Sequence, residues 1–488
     1  MSLSLIVLLS SLCSCSSKTN NNSDNSSSAD SSSSSIAIIE TDNTLLPKAE
    51  EQVIDYTTVD TQYSEKADEL KASFEKISSE KDMPVINITT QDSQTILSKE
   101  EYVPSVIDVF NCDEKYVLSA DGGVKVRGNS TAEQGDEKPY RIKFSEKHNM
   151  LGLHDGNEYK SWVLLRSYWN LAPDYTAFNL AKVIFDGKYY SSDCTYVNLY
   201  INGQSRGLYL LCEQNQVADD RVDVYEPKED EYQTDIGYLI EMDNYAGDEH
   251  PYFTLDYNNA EFTDITGETR TICSDDYSVK SDINTQGQLD FIHKYTAGVF
   301  DIVFEAVQNN KAMKFDDAYN VVEADCTAKE AVEAVLDLES VSDMLILEEL
   351  VHNMDVGAGS FYMAVDFSEE SKYPKLTFLA PWDFNWAYEG SSSGQYYAGA
   401  FQEITMNEDR SNAWFTVLMK SDWFQQIVKD KWNAMEENMT LQNCTSKISE
   451  NLSLLEKDLG ENSWSINMGK GIVDFVNGRI EWLNTKWK

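Results

Sequence analysis

Two carboxylates frame the stretch of this 488-residue chain that carries the most chemistry. Asp355, in HNMDVGAGSFYMAVD, follows a helical pattern, and Asp383, in KLTFLAPWDFNWAYEG, follows an apolar strand. Aromatic residues flank both. Acids presented on loops beside hydrophobic supports suit metal-assisted chemistry, in which one carboxylate orients or deprotonates a nucleophile while the other holds a divalent cation. Acids at element ends also serve as solvated caps, so the remainder of the pattern has to decide between the two readings.

Cations come earlier in the chain. The small-residue loop Arg127-Gly128-Asn129-Ser130-Thr131 leads to the strand pattern KPYRIKF, in which Arg141 and Lys143 share one face and Tyr140, Ile142 and Phe144 the other. Such a loop can bring backbone N–H groups close to a polyphosphate while the lysine neutralises charge. The plain alternative is a Gly-Asn turn beside surface basic residues. Histidines are dispersed, with no HExxH spacing, and Cys112, Cys194, Cys212, Cys273, Cys326 and Cys444 form no CxxC pair. Neither a zinc site nor a disulfide framework is indicated, and a bound metal would need oxygen ligands.

The elements that must position these groups change character along the chain. VINITT, SVIDVF, KYVLSA and VKVR read as short strands, and YINGQSRGLYLLCEQ reads as a hairpin about Asn202-Gly203 whose second strand runs into Glu213. Residues 224–281 are irregular and β-like. From Leu289 onward the apolar spacing is mainly helical. The fold class expected is α+β, with a β-rich first lobe at about 84–215 and a helix-rich second lobe at about 216–488.

With Lys+Arg 39 against Asp+Glu 83, the formal net charge of -44 argues against nucleic acid or anionic lipid as the main partner. A hydrophobic content of 41% rules out general disorder. Leu3 to Leu12 is an apolar run too short to span a bilayer, and it ends at Leu12-Cys13-Ser14-Cys15, which resembles a lipoprotein signal with Cys15 as the lipid-modified residue. Residues 16–35 are almost all Ser, Asn and Asp, a tether by composition. Residues 36–83 read as a stem with a helical pattern from Ser64 to Ile77. The expected location is the outer face of a bacterial cytoplasmic membrane, held by lipid alone, or a spore.

RGNST, KPYRIKF, the YINGQSRGLYLLCEQ hairpin, NMD…SFYMAVD and PWDFN, in that order, resemble the CotH kinase family of spore-coat-protein-H-like atypical protein kinases. The resemblance spans about residues 84–400. It implies a divergent two-lobed kinase-like fold that transfers the ATP γ-phosphoryl group to Ser or Thr of a protein, Ser-rich or basic, with Mg²⁺ or Mn²⁺. Placed on matching positions, Asp355 is the catalytic aspartate and Asp383 the metal-binding one. Lys143 contacts phosphate, with Arg141 and Lys138 as substitutes, and Arg127, Gly128, Asn129 and Ser130 form the loop over the phosphates. Glu213 lies near the adenine. Ser360 stands where ordinary kinases place a metal-binding asparagine, with Asn353 as its substitute, and Asn385 replaces an acid frequent in the family. These departures keep open a non-catalytic surface or spore-coat scaffold, and a glycoside hydrolase using Asp355 and Asp383 is a third reading.

Overall fold

Seven strands close on themselves in the first half of the chain: β1 (Val85–Thr90), β2 (Val103–Phe110), β3 (Leu118–Val126), β4 (Tyr140–His148), β5 (Tyr159–Leu165), β6 (Cys194–Ile201) and β7 (Gln204–Glu213), in the order β1-β2-β3-β4-β5-β7-β6. Neighbours are antiparallel except at the closure, where β1 runs parallel to β6 with Val85 opposite Asn198. This computed structural model describes residues 42–48, 51–133, 135, 137–166, 171–248, 251–257, 260–272, 274–369, 371–394, 412–460 and 463–488. The signal, the tether, Cys15 and Cys273 lie outside the described residues.

Alternation along the strands explains the barrel. Ile86, Ile107, Val124, Ile142, Trp162, Leu199 and Leu211 fill its interior, while Val163, Cys194, Tyr196, Leu210 and Cys212 face outward into a second, larger core. Asn202 and Gly203 both take positive φ, 52° and 72°, which gives β6 and β7 a turn whose twist suits a hairpin. Two helices of the preceding segment, α1 (Thr57–Glu65) and α2 (Ala67–Glu80), lie against the barrel. Tyr63 donates to Asp108 Oδ1 at 2.6 Å, and Phe74 stacks on Phe110 at 4.5 Å.

A one-turn helix, α3 (Ser130–Glu133), follows β3, and α4 (Ala172–Phe185) covers the outer barrel face between β5 and β6. The second half is built on a five-stranded sheet. Its strands are β8 (Gly237–Met242), β9 (Tyr252–Leu255), β12 (Asp275–Val279), β15 (Phe361–Asp366) and β16 (Thr377–Phe378), in the order β16-β15-β8-β12-β9. Two small hairpins accompany it, β10 (Glu261–Thr263) with β11 (Thr269–Thr271), and β13 (Met313–Phe315) with β14 (Val321–Glu323). Helices α5 (Gln286–Gln308), α6 (Ala328–Val335) and α7 (Leu338–Val351) precede β15. After β16 come α8 (Ala413–Leu418), α9 (Asp422–Glu437), α10 (Thr440–Leu454), α11 (Glu456–Leu459) and α12 (Trp464–Trp487). Thr285 and Gln288 form a reciprocal capping box at the start of α5, and Asp337 caps α7.

The two-lobed kinase-like fold expected from the sequence is therefore corrected: a closed seven-stranded barrel replaces the first lobe, and a separate sheet stands among the helices of the second half. The expectation failed because closure depends on pairing β1 with β6, a contact between segments far apart in the chain that strand periodicity does not encode. No helix among the described residues is long and apolar enough to cross a membrane.

Candidate active site

The segment Pro381–Phe384 is anchored from both sides of Asp383. Phe384 is fully buried against Phe178 of α4, with ring centroids 6.0 Å apart, and Trp382 lies on the same Phe178 at 5.3 Å. Between these anchors Asp383 adopts φ 60°, a left-handed conformation that aspartate tolerates better than most residues, and its side chain is exposed. The Asn385 amide bonds to Asp383 Oδ1 and fixes the carboxylate.

The first turn of α4 supplies the partner that the sequence did not reveal. Asp174 is buried, and its Oδ1 accepts the Phe384 N–H at 3.0 Å. Tyr388 donates to the Pro173 carbonyl at 3.2 Å, a second tie between this turn and α4. Burial, and then the charge of Asp383, raise the Asp174 carboxyl to about 7, opposed by the Phe384 N–H and by Arg127. An acid in the first helical turn reads as an ordinary cap, so only the packing exposes its second role.

Arg127 bridges the barrel to this corner. Its guanidinium carbon is 5.5 Å from the Trp382 ring centroid, a cation–π distance, and its charge interacts with Cys212, Asp383 and Tyr362. Burial, and then the like charge of Arg141, pull Arg127 below its ordinary value, but a guanidinium retains its proton in proteins. Gly128 takes φ 87°, and a Cβ there would meet Thr131 Oγ1 at 2.4 Å, so the loop requires glycine. Asn129 Oδ1 accepts from Lys99 at 3.2 Å. Ser130 opens α3.

Arg141 and Lys143 extend from the outer face of β4 opposite Lys125 and Gly123 of β3. Arg141 Nε is buried with no hydrogen-bond partner among the described residues. Lys143 is ion-paired with Glu51, from the segment that precedes α1. Arg127, which the sequence had assigned to the loop over the phosphates, is a cation that interacts with Asp383. Glu213 is fully buried, and its carboxylate is engaged by Arg221 Nε (3.1 Å), His154 Nδ1 (2.7 Å) and the Asp193 N–H (3.0 Å). The residue expected near the adenine is thus tied to Arg221, His154 and the Asp193 backbone at the end of β7.

The turn after α7 completes the corner. His352 ends the helix at φ 57°, and Met354 donates its N–H to the Trp386 carbonyl at 3.2 Å, placing the Asp355 turn against the Asp383 turn. Asn244, just past β8, donates to the Ala358 carbonyl at 3.0 Å. Asn353 is buried, and its Oδ1 accepts the Asp355 N–H at 3.1 Å while its side chain also bonds Glu348. Asp355 is half-buried, and Ser360, at φ 56°, is half-exposed at the start of β15. On the adjoining sheet Glu241 lies opposite Tyr362, bonds its hydroxyl, and pairs with Lys280 at 2.8 Å. Burial above all raises Glu241 to about 7. Its one signal in the sequence was an acid inside the apolar strand GYLIEM.

Glu348 beneath this turn gives a measurable pH dependence. Burial raises its carboxyl from 4.5 to about 8. The folded chain keeps a proton that the unfolded chain releases, so the contribution is full below the unfolded value and is lost as pH rises from 4.5 toward about 8. Glu348→Gln stays neutral throughout. Urea midpoints of variant and wild type should diverge in the variant's favour across that window, and a constant difference would refute the assignment.

Among the described residues no group of three His, Cys, Asp or Glu side chains stands ready to hold a metal. Mg²⁺ commonly takes only one or two protein carboxylates, with water and substrate phosphates completing its shell. Asp383, exposed, and the buried Asp174, whose carboxyl is raised first by burial and then by the charge of Asp383, are the carboxylates of this corner that would offer oxygen ligands. In comparison with known sequences, residues 124–484 match the family described as CotH kinase protein. The chain belongs to the CotH kinase family. The match includes Arg127, Asp174, Asp355 and Asp383, which places the whole corner within the family's domain and agrees with the resemblance read from RGNST to PWDFN. No curated protein matches the chain.

Proposed function

We propose that this CotH kinase family member transfers the γ-phosphoryl group of ATP to Ser or Thr of a protein, from a spore-coat or cell-surface location. The observation that carries the reading is the convergence of Arg127, Asp174 and Asp383 at one corner, with the Asp355 turn bonded to it. Phosphoryl transfer asks for positioning and charge neutralisation rather than covalent help from the protein. Arg127, with Arg141 beside it, supplies fixed positive charge for phosphate oxygens. Asp383 and Asp174 hold the cation. Bound Mg²⁺ or Mn²⁺ supplies charge neutralisation of the phosphates. Asp355, held through its backbone by Asn353, accepts or orients the substrate hydroxyl. Glycoside hydrolysis would leave Arg127 beside Asp383 without a task, so the cation favours phosphoryl transfer.

A basic protein substrate suits the strongly acidic chain, a Ser-rich one would offer hydroxyl acceptors, and lipid attachment at Cys15 would place the enzyme at the outer face of the cytoplasmic membrane. Labelled ATP with Mg²⁺ or Mn²⁺ and a Ser-rich acceptor tests the reading. Metal-dependent label on Ser or Thr, reduced by about 10²-fold or more in Asp355→Ala, is expected. Absence of both transfer and metal-dependent ATP binding would favour a non-catalytic scaffold.

A further inference from the structure

Cys194 and Cys212 stand directly opposite one another on β6 and β7. Both are buried and free. The Glu213 N–H donates to the Asp193 carbonyl at 3.3 Å, which makes the adjoining pair hydrogen-bonded and the cysteine pair the narrow, non-hydrogen-bonded kind. Cα atoms of such a pair are about 4.5 Å apart, inside the range of disulfides. Register partners also share a face, here the outer one, because Val197 and Leu211 point into the barrel. Each thiol lies within electrostatic reach of the other, and the charge of Arg127 reaches Cys212.

We propose that Cys194 and Cys212 are a disulfide-forming pair, closed by a low-molecular-weight organic disulfide into a cross-strand bridge on the barrel face beside Arg127. Chain order and burial point to when it closes. In the finished fold α4 covers the pair, with Asn179 Nδ2 at 3.9 Å from Cys194 Sγ, and burial raises both thiols above their ordinary values, which slows exchange. The β6–β7 hairpin is local, turning at Asn202-Gly203, and its cysteines are open to reagent until α4 docks. The Cys194 thiolate attacks one sulfur of the organic disulfide and expels a thiolate, which takes up the proton that Cys194 lost. Cys212 then gives up its proton and attacks Cys194 Sγ in the mixed disulfide, expelling the second thiolate, which is protonated in turn. The protein loses two hydrogens, and one organic disulfide becomes two thiols.

The competing partners are identifiable. Cys444 Sγ lies 3.4 Å from the Asn179 carbonyl, on the same helix that contacts Cys194, whereas Cys326 is exposed and Cys112 lies beyond β2. The test refolds the reduced protein in a glutathione redox buffer, blocks remaining thiols with an alkylating reagent under denaturing conditions, and maps the peptides by mass spectrometry. The expected result is a dominant Cys194–Cys212 cross-link, reversed by dithiothreitol, and a higher Tm for the oxidised than for the reduced protein. Cys194→Ser should leave Cys212 fully alkylated and abolish the Tm difference. Recovery of both cysteines in alkylated form, or of Cys194 linked to Cys444 instead, overturns the proposal; the wild-type map alone decides this if the serine variant fails to fold.

Discussion

Under the proposed function, Asp383→Asn should lower phosphoryl transfer by about 10³-fold, the scale seen when one electrostatic element of a transfer site is removed, while leaving the fold intact. The two halves of that expectation have separate physical sources. Asp383 is exposed and adopts φ 60°, and asparagine tolerates the same left-handed conformation, so stability should change by no more than about 0.5 kcal/mol. Trp382 and Phe384 keep their places on Phe178 because neither depends on the carboxylate. Activity falls because the hardest oxygen donor of the corner is replaced by a neutral amide. A further readout separates this from a general disturbance: Asp383 is the second cause of the raised Asp174 carboxyl, so the substitution should bring Asp174 down from about 7. Kinetics with labelled ATP, a thermal melt and a titration of Asp174 by NMR make the test. A variant with more than a tenth of wild-type activity would remove Asp383 from the metal-binding role.

Much of this corner was legible in the chain, for identifiable reasons. Asp383 stands between Trp382 and Phe384 after an apolar strand, and Asp355 follows a helical run, so both acids announce themselves against hydrophobic surroundings. Asn202-Gly203 marks its hairpin because both residues must take positive φ. Other parts depend on contacts between distant segments. Asp174 reads as a helix cap until the Phe384 N–H is found on its carboxylate. Arg127 reads as a loop residue until Trp382 is beneath it, and the Glu51 carboxylate paired with Lys143 comes from a segment about ninety residues earlier that no local pattern connects to it. Closure of the barrel has the same origin, since each strand alternates equally well in an open sheet. Even the cysteine pair follows this rule: Cys194 and Cys212 have no motif spacing, and only the register of β6 on β7 places them opposite one another.

Arg479→Ala should be among the most destabilising single changes in the protein, costing about 3–5 kcal/mol. Arg479 on α12 and Glu349 on α7 are both fully buried, paired at 2.7 Å. The same guanidinium donates to the Glu349 carbonyl at 2.8 Å, and to the carbonyls of Gly394 at 3.1 Å and Ser392 at 3.4 Å. It also lies over the Trp482 ring, 4.3 Å from its centroid. One side chain therefore ties α12 to the last turn of α7, immediately before His352 and Asp355, and to the segment that follows Asp383. Truncation would leave the Glu349 carboxylate charged and buried beside Glu348, whose own carboxyl already feels its neighbour's charge. The penalty is mainly that stranded carboxylate, so Arg479→Met combined with Glu349→Leu should recover most of the stability lost in Arg479→Ala. Urea denaturation of both variants measures it. A single-variant loss below about 1 kcal/mol, the range of a surface ion pair, would show that the pair is not the tie between α12 and the Asp355 turn.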